Sequence, residues 1–337
     1  MGKTIIKDYG HRATIKSLKN KNRTMPLSNT QIHYYDSNIL RLPGDKRTKY
    51  HEQVDRLIGN LRETIRSHPN IKFKKVVKAG SFGKHTILRK TSTDPVDVDV
   101  VFYLSELNEN SETVESLSDI IHQMLIDIYP TKKVEDFEIQ RKAATVNFIG
   151  SGLSVDVVPV IEKPGNPDYG WQYDINDGMR VQTCAPCQIK FVRNRKDADK
   201  DFRTLVRLAK KWRNHSELSP LKSFTIELIL AHVLEIQGNN GSIEQRFRNF
   251  LLYIAQSGLR ERIIFPENHQ QINFSHPVVI IDPVCNSNNV ASRITEKERQ
   301  TIVATATEAW EIASFASVEN DLKVWKEIFG PRFKVED

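Results

Sequence analysis

The chain has 337 residues, 39% of them hydrophobic and 27% charged, and a net charge of +7. That length suits one large domain or two lobes around a cleft; no run is apolar for long enough to cross a bilayer, the polar N-terminus lacks a signal-peptide core, and three cysteines are too few for a disulfide framework. We therefore expect a cytoplasmic globular protein.

The positive charge is concentrated at the start. Residues 1–50 hold eleven Lys and Arg against three Asp, a balance of +8, so the remainder sums to −1. "HRATIKSLKNKNR", His11 to Arg23, is the densest part, and no aromatic residue interrupts it for stacking on bases. Residues 1–34 read as a basic extension, either a solvated leader or an arm that contacts phosphates or a partner. Residues 46–68 then place Val54, Leu57, Ile58, Leu61 and Ile65 on one helical stripe. "NIKFKKVVKAG" alternates like a strand and ends in a Gly-Ser turn; "VDVDVVFYL" is a second strand; residues 113–129 form an amphipathic helix. "AATVNFIGSGLSVDVVPVI" reads as a hairpin turning at Gly150 to Gly152, and "KPGNPDYGW", Lys163 to Trp171, as a loop of turn formers. Beyond it "FRTLVRLAKKWRN", "PLKSFTIELILAHVLEIQ", "SIEQRFRNFLLYIAQ" and "EKERQTIVATATEAWEIASFA" all have helical periodicity. The expected organisation is a mixed core over 35–170 and a helical second part over 171–337.

Two carboxylates stand inside the most apolar strand. Residues i and i+2 of a strand face the same side, so Asp97 and Asp99 project together. Paired carboxylates repel unless a cation neutralises them, and Mg²⁺ takes one or two carboxylates with water and phosphate oxygens. A second "VDVV" supplies Asp156 on the hairpin. Three aspartates on adjacent strands can hold two metals roughly 3.5–4 Å apart, the arrangement used in phosphoryl transfer. The preceding turn complements them. Gly80 and Gly83 allow close backbone approach, and a short helix opening there would offer N–H groups and the Ser81 hydroxyl to a polyphosphate, with Lys84 and Thr86 next in line.

"VVKAGSFGKHTILRK…DVDVVFYLSEL" with "LSVDVVPV" resembles the nucleotidyltransferases of the polymerase-β-like fold. More narrowly, the chain resembles the oligoadenylate synthetases and the CD-NTases of CBASS anti-phage systems, relatives of cyclic GMP-AMP synthase. "LVRLAKKW", "LKSFTIELILAHVLE", "LRERIIFPEN" and "IIDPVCNSNNVA" are similar to clade C of that group, and the likeness spans about residues 35–330. The resemblance implies an α+β fold: a nucleotidyltransferase lobe with a mixed sheet and helices, and a C-terminal helical lobe. It implies that Gly80 and Ser81 grip phosphate, that Asp97, Asp99 and Asp156 bind two Mg²⁺ (or Mn²⁺), and that Asp156 helps activate the acceptor hydroxyl. Lys210, Lys222 and Ser223 match positions that reach the triphosphate from the helical lobe; a solvated helix face is the alternative for Lys210. The implied activity joins NTPs, ATP foremost, into a cyclic di- or trinucleotide with release of pyrophosphate. The implied activator is a HORMA-domain protein, with nucleic acid as another possibility and no membrane involved. Two features depart from the pattern: "TSTDPV" lengthens the spacing before the aspartates, where Pro95 makes Asp94 a turn residue, and the basic leader has no counterpart.

Other signals carry less. "CAPC", Cys184 to Cys187, lacks a second ligand pair for zinc, and Cys285 is far away, so buried or partly exposed thiols are expected. His85 stands beside the Gly-Ser turn as a phosphate contact or a capping group, and Trp212, Trp310 and Trp325 read as core. "IIDPVCNSNN" reads as a shaped loop and helix start. The residues alone leave open a linear oligoadenylate product, nucleotidylation of a protein or RNA, and a non-enzyme that binds nucleic acid through its leader.

Overall fold

A computed structural model of the chain describes residues 27–89, 95–106, 112–270, 272–319 and 321–336. The dense part of the basic leader and the Asp94 turn lie outside them.

Ser28 caps α1 (Asn29–Tyr35) in a capping box with Gln31, and the helix widens into a π-helical turn over Asp36–Leu40. α2 (Gly44–Arg66) buries Tyr50, Val54, Leu57, Leu61 and Ile65, the expected stripe with one more turn at its start. The chain continues through β1 (Ile71–Lys78), the single turn α3 (Gly80–Gly83), β2 (Val96–Glu106) and α4 (Glu112–Ile128). β3 (Phe137–Ile139), β4 (Ala144–Phe148) and β5 (Leu153–Lys163) follow, with the expected hairpin between the last two. Next come β6 (Asn166–Asp174), β7 (Met179–Thr183), α5 (Ala185–Ala198), α6 (Phe202–His215), α7 (Ser223–Gln237), α8 (Ile243–Ser257), α9 (Glu296–Glu319) and α10 (Trp325–Phe329).

The seven described strands form one mixed sheet. Its main path runs β1-β2-β5-β4-β3, with β2 and β5 parallel and the other neighbours antiparallel. The period of two divides β2 cleanly. Val96, Val98, Val100, Phe102 and Leu104 join the core shared with α2 and α4, while Val101 and Tyr103 pack on the opposite face with Ala185 of α5. A second, larger core lies among the helices. Trp212 and Trp325 are buried in it, Trp310 packs against it, and Leu27, Ile32, Tyr35 and Leu40 join it from the chain's beginning.

Three local expectations are corrected. "KPGNPDYGW" is not a loop: Pro164 and Gly165 make a tight turn, and β6 starts at Asn166 and pairs with β5 and β7. The turn formers sit where the register slips, between Glu162↔Gly170 and Lys163↔Asn166, so an irregular stretch absorbs them and the strand survives. "IIDPVCNSNN" is a shaped loop, since Asp282 Oδ1 accepts from the N–H of Val284 (2.9 Å) and of Cys285 (3.3 Å), but no helix starts there. The next helix, α9, is capped by Thr295, whose Oγ1 and N–H both donate to Glu298 at 2.8 Å. Cys184 and Cys187 are joined as a disulfide across the first turn of α5, whereas Cys285 is a buried free thiol.

Candidate active site

The parallel register of β2 on β5 sets Asp99 directly opposite Asp156 and Asp97 opposite Ser154. All three aspartates therefore belong to the sheet face opposite the α2–α4 core. Farther along that face Val101, Tyr103 and Val160 are covered by α5, so one half of the face is apolar and the other acidic. α3 seats directly on the acidic half. The Ala79 N–H donates to the Asp99 carbonyl at 2.8 Å, and a methyl added at Gly80 would collide with the Asp99 carboxylate. Gly80 also adopts φ +54°, so both space and backbone demand glycine there.

The electrostatics match this crowding. Burial pushes the Asp156 carboxyl up to about 6; a 2.6 Å hydrogen bond donated by Thr145 opposes the shift, and Asp99 and Asp97 add to it. Burial also raises Asp99, with Lys84 pulling down, Asp97 pushing up and Lys210 pulling down more weakly. Two neighbouring carboxylates that both resist ionisation are short of positive charge.

A cleft of about 450 Å³ opens beside this face. The sheet side contributes Ser81, Thr86 and Asp97, and the helical side Lys210, Lys211, Arg213, Ser223 and Arg332. The structure thus brings Ser81, Thr86, Lys210 and Ser223 to one cavity, as expected, and leaves Lys222 exposed as the residue preceding α7. Lys84 is turned away from solvent. Its ammonium lies 2.9 Å from Glu227 Oε2 and 4.0 Å from the centre of the Phe224 ring.

Glu227 is the residue that sequence reading missed. Fully buried on α7, it accepts from Lys84, from Lys210 Nζ (3.1 Å) and from Thr86 Oγ1 (3.1 Å), while Lys210 also donates to Thr86 Oγ1 at 2.9 Å. Burial alone would raise its carboxyl, but the two ammoniums hold it down at about 2. One carboxylate serves two lysines, so each lysine receives only part of its charge, and burial still lowers Lys210. An acid in the apolar run "SFTIELILAHVL" was the available signal, the same one that exposed Asp97 and Asp99. The far wall, with Lys211, Arg213 and Arg332, carries no pattern of its own.

The resemblance seen in the sequence implies divalent metals at this face. Among the described residues no three acidic, His or Cys side chains are gathered tightly enough to hold a metal as they stand. The donor chemistry nevertheless suits one: hard oxygen ligands share one face, two of them are raised by burial with a smaller contribution from neighbouring aspartates, and a glycine cradle faces them.

The chain is similar to known proteins in both sequence and fold. Residues 45–190 match the family model described as Second Messenger Oligonucleotide or Dinucleotide Synthetase domain. The chain is 64% identical over 313 residues to the CBASS oligonucleotide cyclase CdnC of Escherichia coli (strain KTE188), which covers 93% of this chain and 99% of that protein. It is 33% identical over 308 residues to the cyclic AMP-AMP-AMP synthase of E. coli (strain MS 115-1), covering 88% of this chain and 94% of the relative. The solved structure of E. coli MS115-1 CdnC with ATP superposes with a TM-score of 0.78 at 31% identity, covering 91% of this chain and 99% of that one. The same protein in complex with HORMA-deltaN gives a TM-score of 0.77 at 30% identity, over 91% and 98% of the two chains.

Proposed function

The chain belongs to the CBASS oligonucleotide cyclases, nucleotidyltransferases that make cyclic oligonucleotides, and on that premise we propose how its own residues do so. Asp97, Asp99 and Asp156 hold two Mg²⁺, with Mn²⁺ as a substitute. The observation that carries this is the pairing of Asp99 with Asp156 across parallel strands, with Asp97 on the same face. When bound, such ions lower the pKa of a ribose hydroxyl and neutralise charge developing on the α-phosphate and the leaving pyrophosphate. Ser81 and the Gly80 backbone grip the phosphates of the donor NTP. Lys211, Arg213 and Arg332 supply positive charge from the opposite wall, and Ser223 adds a hydroxyl. Asp156 also takes the proton of the attacking hydroxyl. Lys84 and Lys210 act through Glu227, which fixes the segment carrying Thr86 to α6 and α7.

Family membership selects ring closure from the alternatives that the residues alone left open. The product we propose is a cyclic di- or trinucleotide containing adenine, made chiefly from ATP, and the relative named cyclic AMP-AMP-AMP synthase supports that choice. The relative solved with HORMA-deltaN supports a HORMA-domain activator. The direct test is Asp97→Ala combined with Asp99→Ala, assayed with labelled NTPs and Mg²⁺. Product should vanish while the circular dichroism spectrum and melting point are retained, because a charge cluster is removed and no packing is lost. Undiminished synthesis by the double variant would overturn the metal assignment.

A further inference from the structure

A second cavity, of about 310 Å³, lies across residues 85–89 from the nucleotide cleft, and Ile87 lines both. Its walls come from distant parts of the chain: Arg41 after the π-helical turn, Arg47 of α2, His85, Lys196 of α5, Lys200, and Arg203 and Arg207 of α6. Three of these cations have carboxylate partners. Arg41 and Arg207 share the buried Asp36, and Lys196 lies 3.2 Å from Asp197. Arg47, Lys200 and Arg203 have no carboxylate within 4.0 Å among the described residues, and Arg203 Nε is buried with no hydrogen-bond partner. Arg47 directs a guanidinium nitrogen at His85 Nδ1. Burial, followed by Arg47 and Arg203, depresses His85 to about 4, so this ring is a neutral acceptor near pH 7.

Like charges drawn together in a concavity repel strongly, and the fold keeps them there. A solvated basic face would spread its cations over a convex surface and leave no guanidinium nitrogen dry. We propose that this pocket is a second anion site, taking a small molecule with two or more phosphate or carboxylate groups. The volume is near the lower end of ligand cavities, which suits a compact polyanion, and guanidinium forks on two walls suit bidentate oxyanions. A nucleic-acid duplex presents its phosphates on a convex rod, which this hollow fits poorly.

Occupancy reaches the catalytic side through the shared wall. Arg207 Nη1 donates to the His85 carbonyl at 2.9 Å, and the adjoining Lys84 and Thr86 are held by Glu227. An anion bridging Arg47 and Arg203 clamps residues 85–89 between α2 and α6. By linkage, it and the NTP change each other's affinity by the same factor. The inference is independent of the metal assignment.

The test titrates the full-length chain, free of divalent cations, by calorimetry with inorganic tripolyphosphate and separately with citrate. Arg47→Gln combined with Arg203→Gln should weaken the tighter-binding anion at least about tenfold, while Lys211→Gln, in the nucleotide cleft, keeps that binding. Whichever anion binds more tightly identifies the source as phosphate or carboxylate. The arginine variant should melt no lower than the parent, because repulsion is relieved, so a loss of binding is distinct from a loss of fold. Unchanged binding in the arginine variant overturns the proposal, as does loss in Lys211→Gln instead. Duplex DNA displacing both anions from the same arginines would overturn it in favour of a nucleic-acid surface.

Discussion

Asp156 stands in the strand "LSVDVVPV" and Glu227 in the helix "SFTIELILAHVL", each an acid in an apolar run, yet their carboxyls are driven in opposite directions. Asp156 shares its face with two more aspartates and is pushed up to about 6; Glu227 is enclosed by Lys84 and Lys210 and held at about 2. Burial raises both carboxyls, so the difference lies wholly in the neighbours. A site that crowds carboxylates on one buried face is suited to receive a cation from solution. A site whose counter-charge is supplied internally fixes distant segments of the chain together. The two are also coupled, since Lys84 and Lys210 pull Asp99 down while neutralising Glu227.

Substitution at each acid should separate these roles. Asp156→Asn removes a ligand and a proton acceptor but also a source of repulsion. Synthesis should fall by about 10³-fold or more, the scale of several kcal/mol of lost transition-state stabilisation, with no drop in melting temperature. A melting point falling together with activity would show that Asp156 is structural, like Glu227. Glu227→Gln should do the reverse in its primary effect. It leaves two ammoniums buried without a counter-charge, and breaking a buried pair costs about 3–5 kcal/mol, measurable by urea denaturation. Adding Lys84→Gln should cost less than the sum of the two single changes, since the partners share one network. Strict additivity would show that Lys84 does not depend on Glu227.

Gly80→Ala probes the contact between α3 and the acidic face. The new methyl would meet the Asp99 carboxylate, and φ +54° disfavours any side chain, so α3 must shift. A displacement on the order of 1 Å at a reacting centre costs about 10²-fold in rate, so we expect synthesis to fall by that order. Gly59→Ala, in α2 with open space around the position, should leave synthesis intact and serves as the control.

Much of the acidic site was legible because it depends on local rules. Alternation put Asp97 and Asp99 on one side, and the repeated "VDVV" marked the strand that pairs with theirs in register. The Glu227 network was not legible, because Lys84 and Glu227 are 143 positions apart and only the packing of α7 against the segment after α3 joins them. Lys84 read as a phosphate contact for the same reason: a lysine after a Gly-Ser turn has no local sign of a buried partner. Turn-forming residues disguised β6, since composition cannot distinguish a loop from a strand whose irregular register shelters Pro167. The disulfide of α5 was equally hidden, because Cys-x-x-Cys spacing permits a thiol pair or a bond.

Acid separates the two carboxylate sites most gently. The Asp156 carboxyl is raised from 3.8 to about 6, so the folded state holds this proton more tightly than the unfolded chain does. The resulting stabilisation is fully present below 3.8 and disappears as pH rises through about 6, leaving an ionised carboxylate that favours cation binding. Glu227 runs the other way: its stabilisation is present above 4.5 and is lost as pH falls through about 2. Between pH 4.5 and 6 the internal pair is therefore intact while the aspartate face is partly protonated. A proton competing for one ligand weakens metal binding by up to about tenfold per pH unit below that carboxyl's pKa. The Mg²⁺ concentration that half-activates synthesis should thus climb as pH drops below about 6, while the urea midpoint rises towards pH 4.5 as Asp156 takes up its proton and the Glu227 pair stays intact. A Mg²⁺ requirement flat across that range would mean that the face does not resist ionisation, and the contrast with Glu227 would fail.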